Sequence, residues 1–128
     1  MTILNVLEQH VLAKLLEGQH RTLLILRSQL EKLAVRDRQM TGVGFYTTFA
    51  VQSGILPVGN NLSFSLSNVY AEVPELRNGL GFTLFVKDGL IDMLEGYTYE
   101  EPWPPNLGKF KLGYIRDPED FDSNRLLR

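Results

Sequence analysis

The sequence predicts an α+β fold, an N-terminal helical hairpin packed on one face of an antiparallel sheet of about five strands. Three observations carry this. Apolar residues recur with the helical period up to Val35, and the period changes to two thereafter. An Asp88-Gly89 dipeptide between two β-prone runs then marks a tight hairpin, because both central residues of such a turn take positive φ.

In the helical part, Leu4, Leu7, Val11 and Leu15 form one stripe, and Leu23, Leu26, Leu30 and Leu33 a second. Gly18 lies between them. With Thr2 as N-cap and Gly18 as the terminating residue, two antiparallel helices over about 3–17 and 20–35 are expected in preference to one helix bent at Gly18.

The first strand is expected over 42–52, entered through Gly42-Val43-Gly44, with a start able to reach back into 36–40. Phe45, Thr47 and Phe49 point one way along it, and Tyr46 and Thr48 the other. Gly54 to Asn61 is a loop by composition. The strand over 62–73 must break at Ser67-Asn68, since Leu62, Phe64 and Leu66 have the opposite parity to Val69, Ala71 and Val73. Pro74 ends it. The hairpin supplies strands 80–87 and 90–99, prolines 102, 104 and 105 interrupt the ladder, and a strand over 109–115 has outward lysines suited to a sheet edge. The polar tail 117–128 is expected to be loose.

Counting outward from the Asp88-Gly89 turn, Lys87 faces Leu90, Val86 faces Ile91, Leu84 faces Met93 and Phe82 faces Glu95. Five strands span about 24 Å, and two helices cover about 20 Å of one face. The covered face is therefore expected to hold Phe82, Leu84, Val86, Ile91 and Met93. Phe85, Leu90 and Leu94 are left on the far face with Thr83 and Asp92, joined by Tyr46 and Tyr70. Such an apolar patch suggests a partner or dimer surface, unless the loop 54–61 or the Pro-Trp-Pro-Pro segment folds over it.

A chain of 128 residues, 44% hydrophobic and 22% charged, is expected to form a single globular domain, 1–128, without staples. The absence of cysteine removes disulfides, thiolate nucleophiles and thiolate metal sites, and fits a reducing, cytoplasmic setting. A net charge of −2 and a pI near 5.7 provide no global field for nucleic acid or anionic membranes, so neither is expected as a partner.

Glu95 is the one candidate for acid–base chemistry, because a carboxylate on a core face has its pKa raised by desolvation. Tyr97, Tyr99 and Trp103 lie near it in sequence and would gather at the hairpin end. Two other outcomes leave Glu95 inert: it accepts backbone N–H bonds from a loop, or Gly96 bulges and turns it to solvent. His10 and His20 lack ligand spacing, so no metal is expected. Asp120-Phe121-Asp122-Ser123-Asn124 opens like an EF-hand loop, but Arg125 occupies the glycine position. Gly42-Val43-Gly44 and Gly79-Leu80-Gly81 are not phosphate loops, and no cofactor is implied. Arg21, Arg27, Lys32, Arg36 and Arg38 alternate with acids as on a solvated helix face. Trp103 between prolines suits a binding aromatic, and suits better a ring that closes the edge of a core.

The string G-F-T-L-F-V-K-D-G-L-I-D-M-L-E-G-Y-T-Y with the following W-P, within 79–105, resembles a pattern found in small bacterial α+β proteins of unassigned function. Some of them look like immunity proteins, which neutralise a toxin by binding it. The expectation is thus a non-enzymatic protein-interaction domain, of immunity type or homodimeric, that binds through Phe85, Leu90, Leu94, Tyr97, Tyr99 and Trp103. The alternative is a small enzyme or small-molecule-binding domain with a site near Glu95.

Overall fold

The computed structural model describes residues 4–51, 54–59 and 62–117. Thr2, the EF-hand-like run 120–124 and the predicted loose tail beyond Asp117 lie outside the described residues. Two helices, α1 (Val6–Leu15) and α2 (Arg21–Gln29), lead through a 3₁₀ turn (Leu30–Lys32) into seven strands. These are β1 (Leu33–Met40), β2 (Gly44–Val51), β3 (Phe64–Leu66), β4 (Val69–Glu72), β5 (Leu80–Lys87), β6 (Leu90–Thr98) and β7 (Lys111–Tyr114). Every pairing is antiparallel, in the order β1-β2-β6-β5-β4-β7, and β3 pairs with β5 beside that path. The chain is α+β, with more strands than the expected five.

Two differences account for the larger sheet. The expected strand 62–73 divides at Ser67-Asn68 into β3 and β4, where its parity switches. Residues 33–35, expected as the end of a helix, and residues 36–40, into which the first strand was able to reach back, together form a separate strand, β1: Leu33, Ala34 and Val35 pair with Val51, Ala50 and Phe49. The helical spacing of Leu30 and Leu33 is a local preference, and ladder bonds to β2 override it. Gly42, at φ +90°, then makes the turn between β1 and β2 rather than leading into one strand.

The helices are not a self-packed hairpin. Each contacts the sheet more than it contacts the other helix, and Arg27 ties them by donating to the carbonyls of Leu16 and Gly18, both at 3.0 Å. The first helix starts at Asn5 rather than Thr2. Asn5 Oδ1 accepts from the Glu8 N–H at 2.8 Å, and Glu8 Oε1 accepts from the Asn5 N–H at 2.9 Å, a reciprocal capping box. The second helix is capped by His20, whose Nδ1 accepts from the Thr22 N–H.

The core gathers Leu7, Val11, Leu12 and Leu15 of α1, and Leu23 and Leu26 of α2, under one side of the sheet. Opposite them lie Phe45, Phe49, Leu80, Phe82, Leu84 and Ile91. Each such side chain contributes about 2 kcal/mol through area removed from water.

The hairpin turn forms as expected, with Asp88 at φ 53° and Gly89 at φ 79°. Lys87 faces Leu90 and Val86 faces Ile91, as counted from the sequence. One residue later the count fails. Phe85 faces Met93, Leu84 faces Leu94, Thr83 faces Glu95 and Phe82 faces Gly96, because Asp92 is an extra residue in β6. The bulge reverses the facing of everything after it. Leu94 is fully buried in the core instead of lying on the far face, while Met93 and Glu95 leave the core side. Ile91 and Leu94 stand three apart and both enter the core, which regular alternation forbids and one extra residue allows.

Candidate functional site

The side of the sheet away from the core presents three rows read across the strands. The first is Gly44–Tyr97–Gly81–Tyr70–Gly113, running from β2 through β6, β5 and β4 to β7. The second is Gln39–Tyr46–Glu95–Thr83, and the third is Asp37–Thr48–Met93–Phe85–Ser65. Strand pairing thus assembles an aromatic surface from residues up to about seventy positions apart, which local periodicity cannot do.

Glycine and tyrosine alternate along the first row for a steric reason. A Cβ on Gly81 would come within 2.5 Å of the Tyr97 ring and the Tyr99 hydroxyl, and one on Gly113 within 2.6 Å of the Tyr70 ring. Each tyrosine therefore leans over the bare backbone of the next strand, shielding its ladder bonds. Tyr97 and Tyr99 meet edge to face at 5.7 Å, and the Tyr97 and Thr83 hydroxyls are 3.5 Å apart. These rings are half-buried, and Tyr99 is 43% exposed.

Glu95 sits in the middle row, half-buried. It is the direct cross-strand neighbour of Tyr46, and the nearby carboxylate raises the Tyr46 phenol above its usual pKa of 10.0. No described cation pairs with it. The bulge that moves it is at Asp92, not at Gly96. Gly96 stays in register between Phe45 and Phe82, where a Cβ would strike the Phe45 ring. Glu101, near Glu95 in sequence, is used elsewhere: it accepts the Arg77 and Asn78 N–H groups at 3.0 and 3.1 Å.

Of the other expected site residues, Phe85 lies half-buried on the open face and Leu90 half-buried at the hairpin tip, paired with Lys87. Trp103 closes the edge of the core, the role its setting between prolines suited better, and does not join the binding surface: it packs edge-on against Phe45 at 5.4 Å, and its backbone N–H donates to the Gly42 carbonyl at 2.8 Å. The described part of the loop after β2 closes the hairpin tip, where Val58 is buried and its N–H donates to the Gly89 carbonyl. Gln29, fully buried, donates to the Leu56 and Gly89 carbonyls and accepts from the Ile91 N–H. Neither segment expected to cover the far face does so among the described residues.

The carboxylate that does face the core is Glu8, with none of its surface exposed. Arg38 donates to it through Nε at 2.9 Å and a terminal nitrogen at 2.6 Å, and the Thr47 hydroxyl donates at 2.5 Å. Burial alone would push the Glu8 carboxyl up. The bonds from Arg38, Thr47 and the Asn5 N–H, with the Arg38 charge, outweigh it and hold the pKa below the usual 4.5. Two signals in the sequence point to this role: Asn5 three residues before Glu8, and the place of Glu8 between Leu4 and Leu12 on the buried stripe of α1.

A shallow groove of about 440 Å³ runs between α1 and β7, lined by His10, Lys14, Glu17, Phe110 and Leu112. Its charges are already matched. Lys14 Nζ lies 4.3 Å over the Tyr114 ring, and the Tyr114 hydroxyl is 2.7 Å from Glu17. Among the described residues no cluster of His, Asp and Glu could hold a metal, and no helix is long and apolar enough to cross a membrane. No protein family, curated protein or solved structure matches the chain.

Proposed function

We propose that this chain is a non-enzymatic protein-interaction domain that binds a partner through the tyrosine-rich open face of its sheet. The observation that carries this is the gathering of Tyr46, Tyr70, Phe85, Met93, Tyr97 and Tyr99 on one face. Half-exposed tyrosines on a rigid sheet supply large contact area at low entropic cost, and interfaces are enriched in them. The sheet's edges are poor alternatives. Edge strand β1 is interrupted by a bulge at Arg36, whose side chain folds onto the Phe49 carbonyl, and β7 is four residues long. Immunity-type neutralisation of a toxin in the cytoplasm is the specific form that the hairpin's resemblance suggests. A small enzyme at Glu95 loses its motive, a carboxylate on the core face, because the bulge moves Glu95 to the open side.

The test is affinity capture from source-cell lysate with the full chain as bait, sizing the complex by light scattering. The wild type should retain a stoichiometric partner or self-associate. Phe85→Asp and Tyr97→Ala should release it while the circular dichroism spectrum stays unchanged. Equal capture by both variants would refute the open face as the interface.

A further inference from the structure

We infer that the partner presents an arginine to Glu95, with the Tyr46 and Tyr97 rings flanking the guanidinium. This rests on the open face being a protein-binding surface and names the chemistry it selects. Glu95 is half-buried, faces Tyr46 across the strand pair, and has no described cation beside it. A carboxylate offers about four acceptor sites, so capacity remains for the parallel N–H groups of a guanidinium.

Register supplies the rest of the pocket. Tyr46 is the direct cross-strand neighbour of Glu95, about 5 Å away, and Tyr97 is two residues along the same strand, about 7 Å away. Tyrosine faces attract a cation within about 6 Å, and a planar guanidinium stacks on them where a hydrated ammonium does not. The molecule already contains this match on its other side, where Arg38 donates to Glu8 from two nitrogens.

The surrounding charge points the same way. Asp37 is exposed at the β1 end of the third row, Lys111 stands opposite Glu72 and cancels it, and Lys87 lies out at the hairpin tip, two residues beyond Phe85. The charges nearest the centre of the face, Glu95 and Asp37, are therefore acidic. A second copy docked by the same face would set Glu95 and Asp37 against their own equivalents, which like-charge repulsion disfavours. A nucleic acid, whose bases also stack on aromatic sheets, would bring phosphates to the same carboxylates.

The experiment uses the full chain, isotopically labelled at Glu and Tyr, titrated by NMR with three pentapeptides. These are N-acetyl Gly-Gly-X-Gly-Gly amides in which X is arginine, lysine or the neutral isostere citrulline. The arginine peptide should shift the Glu95 carboxyl and the Tyr46 and Tyr97 rings, and bind about tenfold tighter than the citrulline peptide. Glu95→Gln should erase that preference. Equal binding of arginine and citrulline, or shifts mapped elsewhere, would overturn the assignment. So would Glu95 shifts in the free protein that depend on its concentration, or on Arg125→Gln with Arg128→Gln, since these give the site to a second copy or to the chain's own arginines. The captured complex separates the two levels. If Phe85→Asp releases the partner and Glu95→Gln holds it undiminished, the face binds protein but not through arginine. If both variants hold it, the face itself is not the interface.

Discussion

Glu8 and Glu95 are carboxylates on opposite sides of one sheet, and they are matched in opposite ways. Glu8 lies wholly under the sheet, and its oxygens take donors from Arg38, Thr47 and Asn5. Glu95 lies half in water, with Tyr46 as its neighbour on the adjoining strand. A buried charge must be satisfied by the fold itself, since leaving it unpaired costs several kcal/mol. A half-exposed one can leave acceptor capacity for a partner, because water fills it meanwhile. Glu8 is therefore the carboxylate of the fold, and Glu95 the carboxylate available for recognition.

The largest expected effect comes from removing the device that separates them. Inserting an alanine between Phe85 and Val86 gives Asp92 a partner and restores regular alternation outward from the turn, which turns Met93 and Glu95 inward and Leu94 outward. Burying an unmatched carboxylate and exposing a core leucine together should exceed the few kcal/mol by which a small domain is stable. Thermal unfolding followed by circular dichroism should show no cooperative transition. A cooperative transition near the wild-type midpoint would mean that β6 re-forms its bulge elsewhere, and the comparison would fail.

Next comes the pair on the covered side. Arg38→Met strands a buried carboxylate and should cost about 3 kcal/mol in urea unfolding. The pH dependence sharpens this. Because the folded pKa of Glu8 lies below its usual 4.5, the unfolded chain takes up the proton first. The stabilisation is thus present above pH 4.5 and is lost as the pH falls through the folded value. Urea midpoints for the wild type should drop below pH 4.5, and those for Glu8→Gln should drop less. Identical acid slopes for the two proteins would place the titrating group elsewhere.

The smallest effect belongs to the open side. Glu95→Gln should leave the urea midpoint where it is and lower the Tyr46 phenol pKa toward its usual 10.0, read by ultraviolet absorbance titration. A loss of stability comparable to that of Arg38→Met would show Glu95 to be structural after all. Leu94→Asp cannot serve as a surface test, because Leu94 is in the core.

Legibility in the sequence follows the range of the interaction. The Asp88-Gly89 turn, the pairing beside it and the break at Ser67-Asn68 were readable because each depends on a few adjacent residues. Residues 33–35 belong to a strand and not to the end of the second helix, because the spacing of Leu30 and Leu33 is compatible with a helix until a partner strand is available. The site residues divided in the same way. Phe85 appeared on the expected side, whereas Leu94, Met93 and Glu95, with Tyr97 and Tyr99 in the same alternation as Glu95, exchanged sides through a single extra residue. The I-D-M-L spacing of Ile91 and Leu94 was the available clue to that bulge. The prolines around Trp103 pointed to a ring closing the core, but nothing local named Phe45 as its partner, or Arg38 as the partner of Glu8, thirty residues away.

By itself the sequence determined the α+β class, the hairpin turn and the absence of thiol chemistry, because residue type and short-range periodicity decide these. The tertiary structure alone decided which carboxylate is buried, which tyrosines share a row and which face stays open. Those depend on the register between strands, and one bulged residue is enough to invert it.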